Sequence, residues 1–308
     1  MKFELTILGS SSALPTSKRF PTAQVLNVLE RFFLIDCGEG TQIQLRKYKV
    51  PYGRLNHIFI SHLHGDHIFG LIGLISSFSL QGRTNDLHIY AHRKLEELIR
   101  FQLECLDTKL SFELVFHPIF GKEIQTLYED KVVEVKCFPL KHGPMPCAGF
   151  LFKEKDRPRN LIKEMVDFYR IPIRAMASIK AGEDFVRDSG EVVPNGLLTK
   201  NPPRARSYAF CTDTAYLEKI VPVVQGVDLL YHEATFLKID EKRAKKTYHS
   251  TAEQAARIAH LANVEKLIIG HFSARFKEVH EHLAEARAIF PNTEAGNDGA
   301  VFSIEVKK

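Results

Sequence analysis

"FISHLHGDHIFGL" (residues 59–71) sets His62, His64, Asp66 and His67 within six positions, where an apolar run ends. The run "LNHIFISH" reads as a strand and "DHIFGLIGLISSFSL" as the helix after it, so the polar cluster falls on the loop between them. A loop leaving a strand can aim histidines two and three residues apart, together with Asp66, at a common point. A single histidine there is more often structural. Four such side chains around Gly65 are a different matter, because packing them without a metal would leave many donors and acceptors to pair. The window therefore predicts a metal centre.

Outward from that window the chain alternates strand and helix patterns on both sides. "FELTILG" (3–9) reads as a strand, and "QVLNVL" with "RFFLIDCGEG" as a hairpin-like pair that opens the helix "TQIQLRKYK". "DLHIYA" and "RKLEELIRFQLECL" repeat strand then helix, and residues 112–153 read as several short strands. From about Arg157 to Arg206 the sequence mixes Pro, Gly and charge without a firm period, which predicts an insertion with one helix (159–169) and a projection. Alternation resumes in "SYAFCTD", "LEKIVPVV", "DLLYHE", "STAEQAARIAHLA", "KLIIGH", "FKEVHEHLAEARAIF" and "AVFSIEV". Two runs of strands with helices before, between and after them predict an α/β sandwich of two sheets covered by helices, with a central arm.

Composition narrows the class. At 308 residues, 44% hydrophobic and 26% charged, the chain is an ordinary globular sequence, and its apolar runs are of strand length, well below the roughly 20 residues that span a bilayer. No signal-peptide core precedes the first strand, so a cytoplasmic protein without membrane attachment is expected. Cys37, Cys105, Cys137, Cys147 and Cys211 form no CxxC pair and predict reduced, mostly buried thiols. A net charge of +5 permits an anionic partner. The basic residues cluster in "FYRIPIRAMASIKAG" (168–182), with Arg170, Arg174 and Lys180, and again in "KNPPRAR" and "KRAKK".

A two-metal site needs further ligands from strand ends, and the chain offers His142 in "PLKHGPMPCAG", Asp213 in "FCTDT" and His271 in "LIIGHFSAR". Asp213 has a second reading as the N-cap of a following helix; as a ligand, its carboxylate is of the kind that bridges two cations. Asp36, in "DCGEGTQ" (36–42), reads as support for a metal-binding histidine, since two acidic residues argue against phosphate in that glycine turn. His249 directly precedes "STAE", a capping-box sequence in which Ser250 would cap a helix with Glu253 three residues on.

These residues resemble the metallo-β-lactamase fold and, within it, the ribonuclease Z (tRNase Z) family. "HLHGDH" is shared across the superfamily; the narrower signatures are "YHEATF" (231–236), "YHSTAEQAA" (248–256) and "HFSAR" (271–275). The resemblance implies a four-layer αββα sandwich over residues 1–308, with residues 155–200 as an inserted basic arm that grips tRNA. It implies two Zn²⁺ per chain, Mn²⁺ or another divalent ion being compatible. His62, His64 and His142 would hold one ion, Asp66, His67 and His271 the other, and Asp213 would bridge. The catalytic set would be Asp66 with Glu233 and His249, the latter two as a carboxylate–histidine pair for proton transfer. The implied activity is removal of the 3′ trailer from precursor tRNA by a homodimer, with Lys18, Arg19, Arg170, Arg174, Lys180 and Arg275 toward the RNA.

The chain departs from the family in two places. "PTSKRF" (15–20) stands where many members have PxKxRN, a loop that helps exclude CCA-ended tRNA, and Arg174-Ala175 stands where the arm often has Gly-Pro. Two other readings stay open on sequence: a hydrolase of the same fold acting on a lactone, thioester, sulfate ester or small cyclic phosphodiester, and a tRNA-binding protein with a vestigial metal site.

Overall fold

The structure, a computed structural model, describes residues 2–120 and 123–306. Two seven-stranded mixed sheets carry the larger of its two compact units, residues 1–153 with 206–305. The first sheet runs Val301–Ser303, Phe3–Gly9, Ala23–Val28, Arg31–Ile35, Leu55–Phe59, Leu87–Ala91 and Leu114–Pro118. The second runs Thr293–Ala295, Lys266–Gly270, Leu229–Glu233, Ser207–Cys211, Met145–Glu154, Val133–His142 and Gln125–Glu129.

The period-two alternation of each strand feeds two cores at once. In Arg31–Ile35, Phe33 and Ile35 pack between the sheets against Phe59, Phe150 and Phe152, whereas Phe32 and Leu34 pack outward with Leu71, Leu74 and Ile75 of helix Leu71–Leu80. On the second sheet, Tyr208 and Phe210 point inward, and Ala209 and Cys211 face Ala255, Ala259 and Ala286 of the helices Ala252–Leu261 and His280–Ile289. Helix, sheet, sheet, helix is the αββα order expected. The strands Leu55–Phe59, Ser207–Cys211 and Lys266–Gly270 each release a loop bearing predicted ligands from the C-terminal end, and Leu229–Glu233, parallel to the last two, ends on Glu233.

Residues 154–205 form a second compact unit, inserted between two strands that pair antiparallel, Met145–Glu154 and Ser207–Cys211. Its own small core holds Ile171, Ile179, Val193 and Leu198. Here the expectation of one helix over 159–169 is corrected. Asn160–Leu161 pairs with Thr199–Lys200, the first helix is Lys163–Phe168, and a second, Ile173–Ala181, starts after Pro172 and ends at Gly182 in the left-handed region (φ 110°). Proline pre-sets the turn before a helix and glycine accepts positive φ after it.

Three other local expectations change. Among the strands of 112–153, Val133–His142 and Met145–Glu154 are long, ten residues each, not short. "LEKIVPVV" makes only a 3₁₀ turn, Glu218–Ile220, because Pro222 has no N–H to continue it, and Asp213 caps no α-helix. The capping box lies one residue later than expected: Thr251 accepts from Gln254 N at 3.2 Å and Gln254 Oε1 accepts from Thr251 N at 3.1 Å, while Ser250 instead donates to Thr214 O.

Candidate metal centre and catalytic pair

Three loops and the end of the strand Val133–His142 converge on one buried cluster. His62 Nε2 and His142 Nε2 lie 3.0 and 3.1 Å from His64 Nδ1, and 3.5 and 3.6 Å from Asp213 Oδ2. A second group meets the other oxygen of the same carboxylate: His67 Nε2 and His271 Nε2 stand 3.4 and 3.1 Å from Asp213 Oδ1, and each is 3.5 Å from Asp66 Oδ2. Ligand atoms at the corners of a tetrahedron with bonds of about 2.0–2.1 Å sit roughly 3.3 Å apart, so both groups have the spacing that a small divalent cation requires.

A second test of fit is the state of the polar atoms. His67 Nε2 and His271 Nε2 are buried and have no hydrogen-bond partner, a costly arrangement unless something electrophilic faces them. Their far nitrogens are held: His67 Nδ1 by Asp36 Oδ2 at 2.7 Å, His271 Nδ1 by Thr235 Oγ1 at 3.0 Å, and His142 Nδ1 by Tyr248 O at 3.2 Å. Orienting the outer nitrogen aims the inner one. Asp36 is itself fixed by the backbone N–H and hydroxyl of Ser61, at 2.8 and 2.9 Å.

The electrostatics agree. Burial, with neighbouring imidazoles, holds His62 well below the usual imidazole range, and burial also lowers His142, so both are neutral and able to ligate. Burial opposes the charge of Asp213, yet His271, His67 and His62 outweigh it and keep the carboxyl well below its ordinary value; for Asp66, burial again opposes and His67 prevails. Burial opposes the charge of His67 too, but Asp66, Asp213 and Asp36 push it well above its ordinary value. Such a group of buried carboxylates needs positive charge, which a proton supplies when no cation does; metal binding displaces protons of this kind.

Against this cluster lies the pair the signatures pointed to. Glu233 is fully buried; its Oε1 accepts from His249 Nδ1 at 2.9 Å and from Thr214 N at 2.8 Å, and its Oε2 accepts from Thr235 Oγ1 at 2.6 Å. Burial disfavours charge on both partners, but each stabilises the other: Glu233 is held below its ordinary value and His249 is raised to about 9. The ring of His249 is 5.0 Å from that of His142 and 5.4 Å from that of His271.

The remaining expected residues divide. Arg19 is buried, with Nη1 and Nη2 donating to the carbonyls of Phe276 and Lys277 at 3.1 and 3.3 Å and its guanidinium over the Phe272 ring, so it holds a loop. Lys18 pairs with Glu278 at 2.7 Å on the surface, and Arg275 is exposed. Arg170, Arg174 and Lys180 are exposed on the inserted unit, where Arg170, Arg174 and Arg187 line a groove of about 590 Å³ with Asp184 and Asp188. Sequence reading missed Thr235, Ser61 and Thr214. Thr235 lay inside the quoted "YHEATF" two residues after Glu233, so a hydroxyl flanking that carboxylate was the available signal.

Fold and cluster together define a metallo-β-lactamase-fold hydrolase with a divalent-metal site. The chain is 52% identical over 98% of its length, and 96% of the relative's, to "Ribonuclease Z" of Bacteroides thetaiotaomicron, and 45% identical to that of Porphyromonas gingivalis over 96% of the chain and 97% of the relative. Human tRNase Z, short form, superposes with a TM-score of 0.72 at 28% identity, covering 98% of this chain and 100% of that one. YhfI of Bacillus subtilis, at 18% identity and a TM-score of 0.69 over 98% and 100% of the two chains, shares the fold. The chain belongs to the ribonuclease Z family, the metal-dependent endoribonucleases of tRNA 3′ processing. Residues 3–157 also match the family described as Anti-Pycsar protein Apyc1, so the first half belongs to that sequence family as well; the match ends before Asp213, Glu233, His249 and His271.

Among the described residues no helix is long and apolar enough to cross a membrane.

Proposed function

We propose that this chain cuts precursor tRNA just after the discriminator base, leaving a 3′ hydroxyl on the tRNA and a 5′ phosphate on the trailer, with two zinc ions per chain and as a homodimer. The observation that carries the reading is the division of Asp213: one oxygen faces His62 and His142, which both adjoin His64, the other His67 and His271, which both adjoin Asp66, beside a Glu233–His249 pair whose carboxylate is buried. Imidazole with carboxylate suits zinc, and manganese remains compatible.

When bound, a cation pair neutralises charge on the phosphate oxygens and ionises a water near neutral pH. The chain's own residues do the rest. His62, His64, Asp66, His67, His142, Asp213 and His271 fix the ligand positions, and Asp36 and Thr235 fix two of the rings. His249, raised to about 9 by Glu233 in the metal-free protein, holds a proton beside the cluster. As the oxygen from water bonds to phosphorus and the bond to the ribose 3′ oxygen breaks, that proton passes to the leaving oxygen. Glu233 keeps the ring oriented through Nδ1, leaving Nε2 to donate. The exposed Arg170, Arg174 and Lys180 of the inserted unit, with Lys18 and Arg275, would contact phosphates.

The test is incubation with a precursor tRNA bearing a 3′ trailer, the cut being mapped to one nucleotide. Cleavage after the discriminator, lost with chelator and restored by zinc or manganese, is the expected result. Metal-independent cleavage, or hydrolysis of small esters with the precursor left intact, overturns it.

A further inference from the structure

Beside His249 the surface opens into a cavity of about 290 Å³, lined by Lys141, Ala215, Tyr216, Glu241, Lys245 and Gln254. None of these residues is used by the chemistry above. The walls are tied to one another: Ala215 N donates to Lys141 O at 2.8 Å, and Gln254 Nε2 donates to Glu241 Oε1 at 3.1 Å. The Tyr216 hydroxyl donates to Glu218 Oε1 at 2.7 Å, which fixes the ring by its tip. Among the described residues the ammonium groups of Lys141 and Lys245 have no ion-pair partner, whereas the Glu241 carboxylate is engaged by Lys238 Nζ at 3.0 Å. The cavity thus offers an aromatic ring and two unpaired cations, which together fit a base and a phosphate.

Its position selects which nucleotide. If His249 protonates the ribose 3′ oxygen, that oxygen lies within hydrogen-bond reach of the ring, and the cavity has the same ring in its wall. We propose that the cavity is the subsite for the last nucleotide retained on the tRNA, its base stacked on Tyr216 and its 5′ phosphate held by Lys141 and Lys245. This rests on the tRNA-processing reading and adds a specificity to it. Stacking accepts every base, so the subsite recognises that a nucleotide is present rather than which one.

The zinc-loaded full-length protein, with Tyr216→Ala and Tyr216→Phe, is assayed on an intact precursor tRNA and on one lacking the base at the last retained nucleotide. The wild type should lose roughly tenfold in kcat/KM on the abasic precursor. Tyr216→Ala should lose a similar factor on the intact precursor and no longer distinguish the two, while Tyr216→Phe keeps the wild-type preference. An abasic precursor cut as fast as the intact one, or losses from Tyr216→Ala and the missing base that simply multiply, overturns the subsite. Should the wild type cut no precursor at all, the tRNA reading fails by itself, and the cavity is judged by adenosine 5′-monophosphate competing against bis(p-nitrophenyl) phosphate. An inhibition constant raised about tenfold in Tyr216→Ala supports a nucleotide subsite; an unchanged constant contradicts it.

Discussion

Asp213 sends one carboxylate oxygen toward His62 and His142 and the other toward His67 and His271, so a single side chain ties two groups of donors together. The HxHxDH window announces itself because its donors are adjacent in sequence, and His142, Asp213 and His271 follow as polar residues at strand ends. What adjacency cannot disclose is which oxygen faces which group, or that Asp36 turns His67 while Thr235 turns His271, since those contacts join residues 31 and 36 positions apart. The Glu233–His249 pair belongs to this scale, and so does its test. If His249 delivers the proton, His249→Ala should slow precursor tRNA by about 10²–10⁴-fold but affect bis(p-nitrophenyl) phosphate far less, because its leaving group departs without a proton. Equal losses on both substrates would remove the proton-donor role.

At the scale of elements, the glycines of "DCGEGTQ" serve close approach instead of phosphate binding. Cys37 N donates to His67 O at 2.8 Å and Gly70 N to Cys37 O at 2.9 Å, so the turn after Asp36 is laced to the loop of ligands. A Cβ on Gly70 would stand 2.1 Å from Gly38 O, and one on Gly38 2.4 Å from Asp66 O. Gly70→Ala should therefore destabilise the protein by about 1–3 kcal/mol, read by urea unfolding, and lower its metal content. Wild-type stability with full metal occupancy would show that the loops can separate freely. The strand and helix periods identified most elements here. They failed at two points: Pro222 stops a helix whose apolar pattern invites one, and Thr251, not Ser250, caps the next, the Ser250 side chain being turned to Thr214 O, 36 positions away.

Across the whole molecule, the layers were readable from alternating strands and helices, but the order of strands was not, since pairing depends on which runs meet through the core and one sequence records no such partner. The inserted unit was readable by its charge and its loss of period; its second helix was not, because Ile179 finds its apolar partners only within the small local core. Its role belongs at this scale. A triple Ala variant of Arg170, Arg174 and Lys180, all exposed, should leave that core intact, weaken precursor tRNA binding and reduce the slope of log affinity against log salt by up to about 3. An unchanged slope would take these residues away from the RNA. The central claim, that segments from four parts of the chain hold a pair of cations, is tested most directly by anomalous diffraction at the zinc absorption edge from crystals of the zinc-loaded protein. Two peaks about 3.5–4 Å apart with one Asp213 oxygen on each are expected; a single peak, or none among His62, His67, His142 and His271, would rule the cation pair out.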